Sequence, residues 1–163
     1  MASDCGLFPR MMTYLTNAAK APAMTTASPL AASGLVALGG GVGALLRYQA
    51  GRTLTGLLGP AAVASFPWAT LLVNIIGSLA MGLLAGWLAR HGPSINGGSG
   101  ETWRLLVGVG LLGGFTTFSA FSLEMMLLIE RGQATTAFVY AAISVLAGVT
   151  ALYIGLIAMR LAA

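Results

Sequence analysis

Within the run Gly113, Gly114, Phe115, Thr116, Thr117, Phe118, Ser119, Ala120, Phe121, Ser122, aromatic rings and hydroxyls sit in the middle of an apolar stretch. Phe118, Phe121 and Ser122 are three and four positions apart, so on a helix they share a face. A ring edge carries positive potential and can face a small anion without trapping it as a full charge would; ordinary packing is the alternative. A second polar set, Thr70, Asn74 and Ser78, recurs at i+4 on an otherwise apolar segment. Asn74 offers an uncharged NH₂ donor suited to weak anion binding, or else a hydrogen bond between helices. Tyr140 and Ser144 repeat the spacing, with Gly148 after them.

The same run is also unusual as backbone. Two glycines followed by two threonines weaken a helix where no water is at hand to satisfy freed carbonyls, so a break there demands a ligand or a protein partner. The alternative is a continuous helix whose hydroxyls bond back to carbonyls one turn earlier. Two ionisable groups fall inside apolar stretches, where charges are costly and usually face water or a bundle interior. Arg47 either draws anions into a vestibule or snorkels to the interface. Glu124 lies about 9 Å along the helix from Glu130, so it needs a cavity or vestibule to reach water.

Enzymatic chemistry has little material. The chain holds one His, one Cys and four carboxylates, which excludes a His/Cys metal cage or an intrachain disulfide within one copy. Gly39, Gly41 and Ala44 have the spacing of a dinucleotide fingerprint, but no strand precedes them and no acidic residue follows at the required offset. The net charge of +4 comes from scattered basic residues, not from a cluster that would track phosphates.

Those residues must be held by membrane elements. Apolar residues make up 57% of the chain and charged residues 7%, with a mean hydropathy of +0.88, whereas soluble domains carry about 25% charged residues. Four stretches, about 34–58, 67–89, 103–129 and 134–159, match the roughly 20 residues needed to cross a bilayer. Breaker residues separate them: Gly59 and Pro60, then 91–100 with Pro93 and Asn96, then Arg131, Gly132 and Gln133. The expected fold is therefore an all-α integral membrane protein of four up-and-down spans, in one domain over 34–163. Residues 1–33 read as an N-terminal tail, with a transit peptide or a start at Met24 as alternatives. Gly39 with Gly43, Gly82 with Gly86 and Gly110 with Gly114 have the spacing that lets helix backbones approach closely. Arg10, Lys20, Arg90, Arg104 and Arg160 fall on one side and Arg52 and Arg131 on the other, a lean toward cytoplasmic termini that leaves insertion both ways round open.

Taken together, Gly39 to Tyr48, Thr70 to Ser78 and above all the GGFTTFSAFSLE run from Gly113 to Glu124 resemble the Fluc/CrcB fluoride channel family, over about Gly34 to the C-terminus. The resemblance implies a passive, selective fluoride channel of a bacterial inner membrane that exports fluoride and confers fluoride resistance. It also implies an antiparallel, dual-topology homodimer with two pores, in which the third helix of each chain is broken mid-membrane. A structural sodium ion at the dimer centre would be held by the backbone carbonyls of Gly113 and Thr116. The implied pore residues are Asn74, Phe118, Phe121, Tyr140 and Ser144. Arg47, Thr70, Thr117, Ser119, Ser122 and Glu124 form a secondary vestibule or polar-track set. Ala120 and Gly148 stand where relatives often carry hydroxyls, and no hydroxyl role is assigned to either position. Two readings compete with the channel: a small proton-coupled anion exporter, for which Glu124 is the sole titratable candidate, and a non-conducting accessory subunit.

Overall fold

The computed structural model describes residues 28–91 and 99–162, and the expected tail lies almost wholly outside them, as does most of the second connector. Helix α1 runs over Pro29–Leu58, beginning before the expected Gly34. Local chemistry explains the earlier start: the Ala31 N–H donates to Ser28 Oγ at 3.3 Å, and Pro29 occupies the first helical turn, where no N–H is needed. Gly59, at φ 82°, ends α1, and the short helix α2 follows at once over Pro60–Ser65, where the sequence reading has only a connector.

Helix α3 spans Trp68–His91. The third span is composite: α4 over Ser99–Trp103, a π-helical stretch over Arg104–Leu112, α5 over Gly113–Phe115 and α6 over Phe118–Glu130. The bidentate pair of Arg104 with Glu101, at 2.8 and 2.7 Å, lies in its first turns. Gly132, at φ 75°, donates to the Ile129 carbonyl and closes the third span before α7 begins at Ala134 and runs to Leu161. Four helical segments among the described residues, Pro29–Leu58, Trp68–His91, Ser99–Glu130 and Ala134–Leu161, are long and apolar enough to cross a membrane.

Small residues hold these spans together, and large ones face outward. Gly39 and Gly43 lie directly on the backbone of Leu106, Gly110, Leu111 and Phe115, so α1 packs on the third span with no side chain between them. Gly110 and Gly114 provide the reciprocal surface against Gly39 and Gly40. Gly82 and Gly86 do the same for α3 on α7, against Leu152, Leu156 and Met159. All three glycine pairs are therefore contact faces. Leu38, Leu45, Phe138, Leu146 and Ile154 point away from the bundle, and such a surface requires lipid or protein against it.

Candidate functional site

The helical path of the third span is interrupted at two residues. Thr116 has φ −80° and ψ 160°, and Thr117 has φ −152° and ψ 122°, both extended. An extended Thr117 cannot give its N–H to the Gly113 carbonyl. It donates instead to Asn74 Oδ1 at 2.9 Å, and Asn74 Nδ2 returns a bond to the Thr117 carbonyl at 3.1 Å. The Thr117 side chain then caps α6, its Oγ1 accepting from the Ala120 N–H at 3.2 Å and lying 3.3 Å from Ser119 Oγ. Thr116 Oγ1 donates back to the Leu112 carbonyl at 2.9 Å. Hydroxyl back-bonding and an interruption, alternatives in the sequence, thus occur side by side.

From this point a line of aromatic and polar groups follows α6. The Phe118 and Phe121 rings are 5.7 Å apart, and Phe121 is 5.1 Å from Tyr140, whose other side meets Phe66 edge-on at 5.4 Å. Phe118 is 79% exposed in the single chain, whereas Tyr140 is fully buried. The Tyr140 hydroxyl donates to Glu124 Oε2 at 2.8 Å and Thr70 Oγ1 donates to Glu124 Oε1 at 2.7 Å, so both carboxylate oxygens are engaged. Ser144 Oγ is buried without a hydrogen-bond partner among the described residues. Ser122 Oγ donates to the Phe118 carbonyl at 2.9 Å, within its own helix.

Cavities lie at both ends of this line. One of about 270 Å³ is lined by Asn74, Gly77, Ser78, Thr116, Thr117 and Phe118, among others. Another of about 140 Å³ is bordered by Glu124, Phe66, Ala64 and Arg131, with the Arg131 guanidinium donating to the Ala64 carbonyl at 3.1 Å. The three members of the α3 stripe therefore act at successive levels: Thr70 at the carboxylate, Asn74 at the interruption and Ser78 at the first cavity. Arg47 stands apart, in a cavity of about 460 Å³ that it shares with Tyr48, Gly51, Arg52 and Thr55. One chain does not bring Arg47 to the interruption.

The Thr70–Glu124–Tyr140 network and the hold of Asn74 on Thr117 were not foreseen from sequence, because the partners lie on different spans.

Known proteins are similar to this chain over most of its length. The model of a family described as CrcB-like protein, Camphor Resistance (CrcB), matches residues 34–156. A protein of Novosphingobium aromaticivorans named fluoride-specific ion channel FluC is 57% identical over 131 residues, covering 80% of this chain and 98% of the relative. One of the same name from Erythrobacter litoralis is 53% identical over 138 residues, with 85% and 98% covered, and one from Caulobacter vibrioides is 47% identical over 126 residues, with 77% and 93% covered. Four apolar spans and relatives of this kind make the chain a multi-pass integral membrane protein. Because the family match runs from within the first span to within the fourth and contains the interruption with its whole aromatic line, the chain belongs to the CrcB family.

Proposed function

We propose that this protein is a passive fluoride channel of the bacterial plasma membrane, working as an antiparallel homodimer that lets cytoplasmic fluoride escape. The observation that carries this reading is the match to two relatives named fluoride-specific ion channels over 98% of their length. In support of it, Phe118 and Phe121 offer ring edges, Asn74 keeps a second N–H beyond the one given to Thr117, and Ser144 has an uncommitted hydroxyl, while the Tyr140 hydroxyl is given to Glu124. A second copy crossing at Thr116 and Thr117 would cover the exposed Phe118 ring and the freed backbone, which lipid cannot solvate.

The carbonyls of Gly113 and Thr116 suit a sodium ion at that crossing. The Thr117 N–H is committed to Asn74, which deprives the Gly113 carbonyl of its usual helical donor, and the extended Thr116 turns its own carbonyl out of the helix. Two such oxygens per chain, doubled by a two-fold axis, make four oxygen ligands for a hard cation. The ion would supply fixed positive charge near the anion path. We expect removal of sodium, with potassium or lithium in its place, to lower the melting temperature of the purified dimer by roughly 5 °C or more and to reduce flux. An unchanged melting temperature and flux would refute the site.

A proton-coupled exporter would need Glu124 to load and release protons during transport. Here both of its oxygens accept hydrogen bonds from groups on other spans, as befits a fixed acceptor. We therefore expect fluoride efflux from liposomes, with potassium and valinomycin balancing charge, to proceed at full rate without a proton gradient. Efflux that requires the gradient would establish the exporter.

A further inference from the structure

We propose that Asn74 and Gly77 of α3 form a socket that sets the conformation of the third-span interruption, so that Asn74 is a positioning residue for the backbone whether or not it also faces an anion. Two independent features carry this inference. Asn74 satisfies both backbone groups of Thr117, accepting its N–H at 2.9 Å and donating to its carbonyl at 3.1 Å. The side-chain amide thus replaces the helical partners that Thr117 has lost. Three positions along α3, a Cβ on Gly77 would overlap the Thr116 methyl and lie 3.4 Å from the Phe115 ring. Only a residue without Cβ admits Thr116 as it stands. Rotating the threonine away would break its Oγ1 bond to the Leu112 carbonyl, 2.9 Å long.

The socket explains how an extended pair survives inside a helix. Thr117 is buried at 8% exposure, so an unpaired N–H or carbonyl there would carry the full penalty of desolvation. The amide and the notch recognise complementary parts, backbone at Thr117 and side chain at Thr116. Together they aim the Thr116 carbonyl and start α6 at Phe118, and this holds irrespective of which ion passes.

Replacing Asn74 with Asp provides a test that simple packing would not pass. A neutral carboxyl has one O–H donor and one acceptor and reproduces both bonds to Thr117; an ionised one only accepts and must leave the Thr117 carbonyl unpaired. The first cavity presents no titratable side chain to this position, and Glu124 and Tyr140, joined to Thr70 one turn away on α3, are common to wild type and variants. At about pH 8 the purified Asn74→Asp dimer should melt roughly 5–10 °C below wild type, level with Asn74→Leu. As the pH falls through about 4, where an aspartic acid ordinarily protonates, its melting temperature should rise toward that of wild type at the same pH, while Asn74→Leu gains nothing relative to wild type. Asn74→Asp matching wild type throughout, or matching Asn74→Leu throughout, would overturn the amide's role.

The notch has its own arm. Gly77→Ala should lower the melting temperature, and Gly77→Ala with Thr116→Ser, which removes the obstructing methyl but keeps the hydroxyl, should recover to the level of Thr116→Ser alone. Failure to recover would overturn the notch.

Discussion

Replacing Phe118 with Ile lowers fluoride efflux by roughly 100-fold while the dimer stays folded. The expectation follows from what the ring contributes and what it does not. In the single chain Phe118 is 79% exposed and packs mainly on Phe121, so an aliphatic replacement costs the fold of one chain little. Its edge carries positive potential, for which Ile has no equivalent. If the ring edge serves the anion as a hydrogen bond to a charged group does, about 1.5–3 kcal/mol, the upper value corresponds to about two factors of ten in rate. Phe121→Ile should reduce flux as strongly but also cost up to about 1.5 kcal/mol of stability, because that ring packs on buried Tyr140 in the apolar cluster with Leu71 and Leu128. Efflux rates beside gel-filtration profiles separate the two contributions. Wild-type efflux from both variants would make the rings packing residues only.

Gly43→Val is expected to abolish the folded dimer. A Cβ at this position would overlap the Leu111 carbonyl oxygen and lie 2.8 Å from the Phe115 amide nitrogen. Both obstacles are backbone, so no rotamer change relieves them and α1 must move off the third span. Overpacking of this kind costs more than about 3 kcal/mol, a large part of the stability of an ordinary domain. Gly34→Ala on the same helix, where a Cβ meets nothing within 4 Å, is the control and should stay within about 1 kcal/mol of wild type. The yield of dimer on gel filtration reports both. Normal yield of Gly43→Val would mean that the α1 contact with Leu111 and Phe115 is not as described.

The four spans were legible in the sequence because a bilayer imposes a long apolar run on each of them, and the glycine pairs because close helix contact permits little else. Helix ends were less legible. Ser28 and Pro29 start α1 through a local cap that hydropathy does not register, and α2 forms in a segment marked only by Gly59 and Pro60. The π-helical turns over Arg104–Leu112 have no counterpart in an apolar periodicity and were not foreseen. In the candidate site, spacing alone identified Phe118, Phe121 and the Thr70, Asn74, Ser78 stripe. Their partners were hidden because they are remote in sequence: Asn74 meets Thr117, Thr70 meets Glu124, and Tyr140 reaches Glu124 from another span. Arg47 shows the converse, a residue singled out for its charge that one chain leaves in a separate cavity.

The measurement that tests the central claim most directly is anion efflux from liposomes containing the purified protein, loaded with fluoride or with chloride under identical charge balance. The account predicts rapid, protein-dependent release of fluoride and chloride release no faster than from protein-free vesicles. Equal release of both anions, or release of neither, would contradict it.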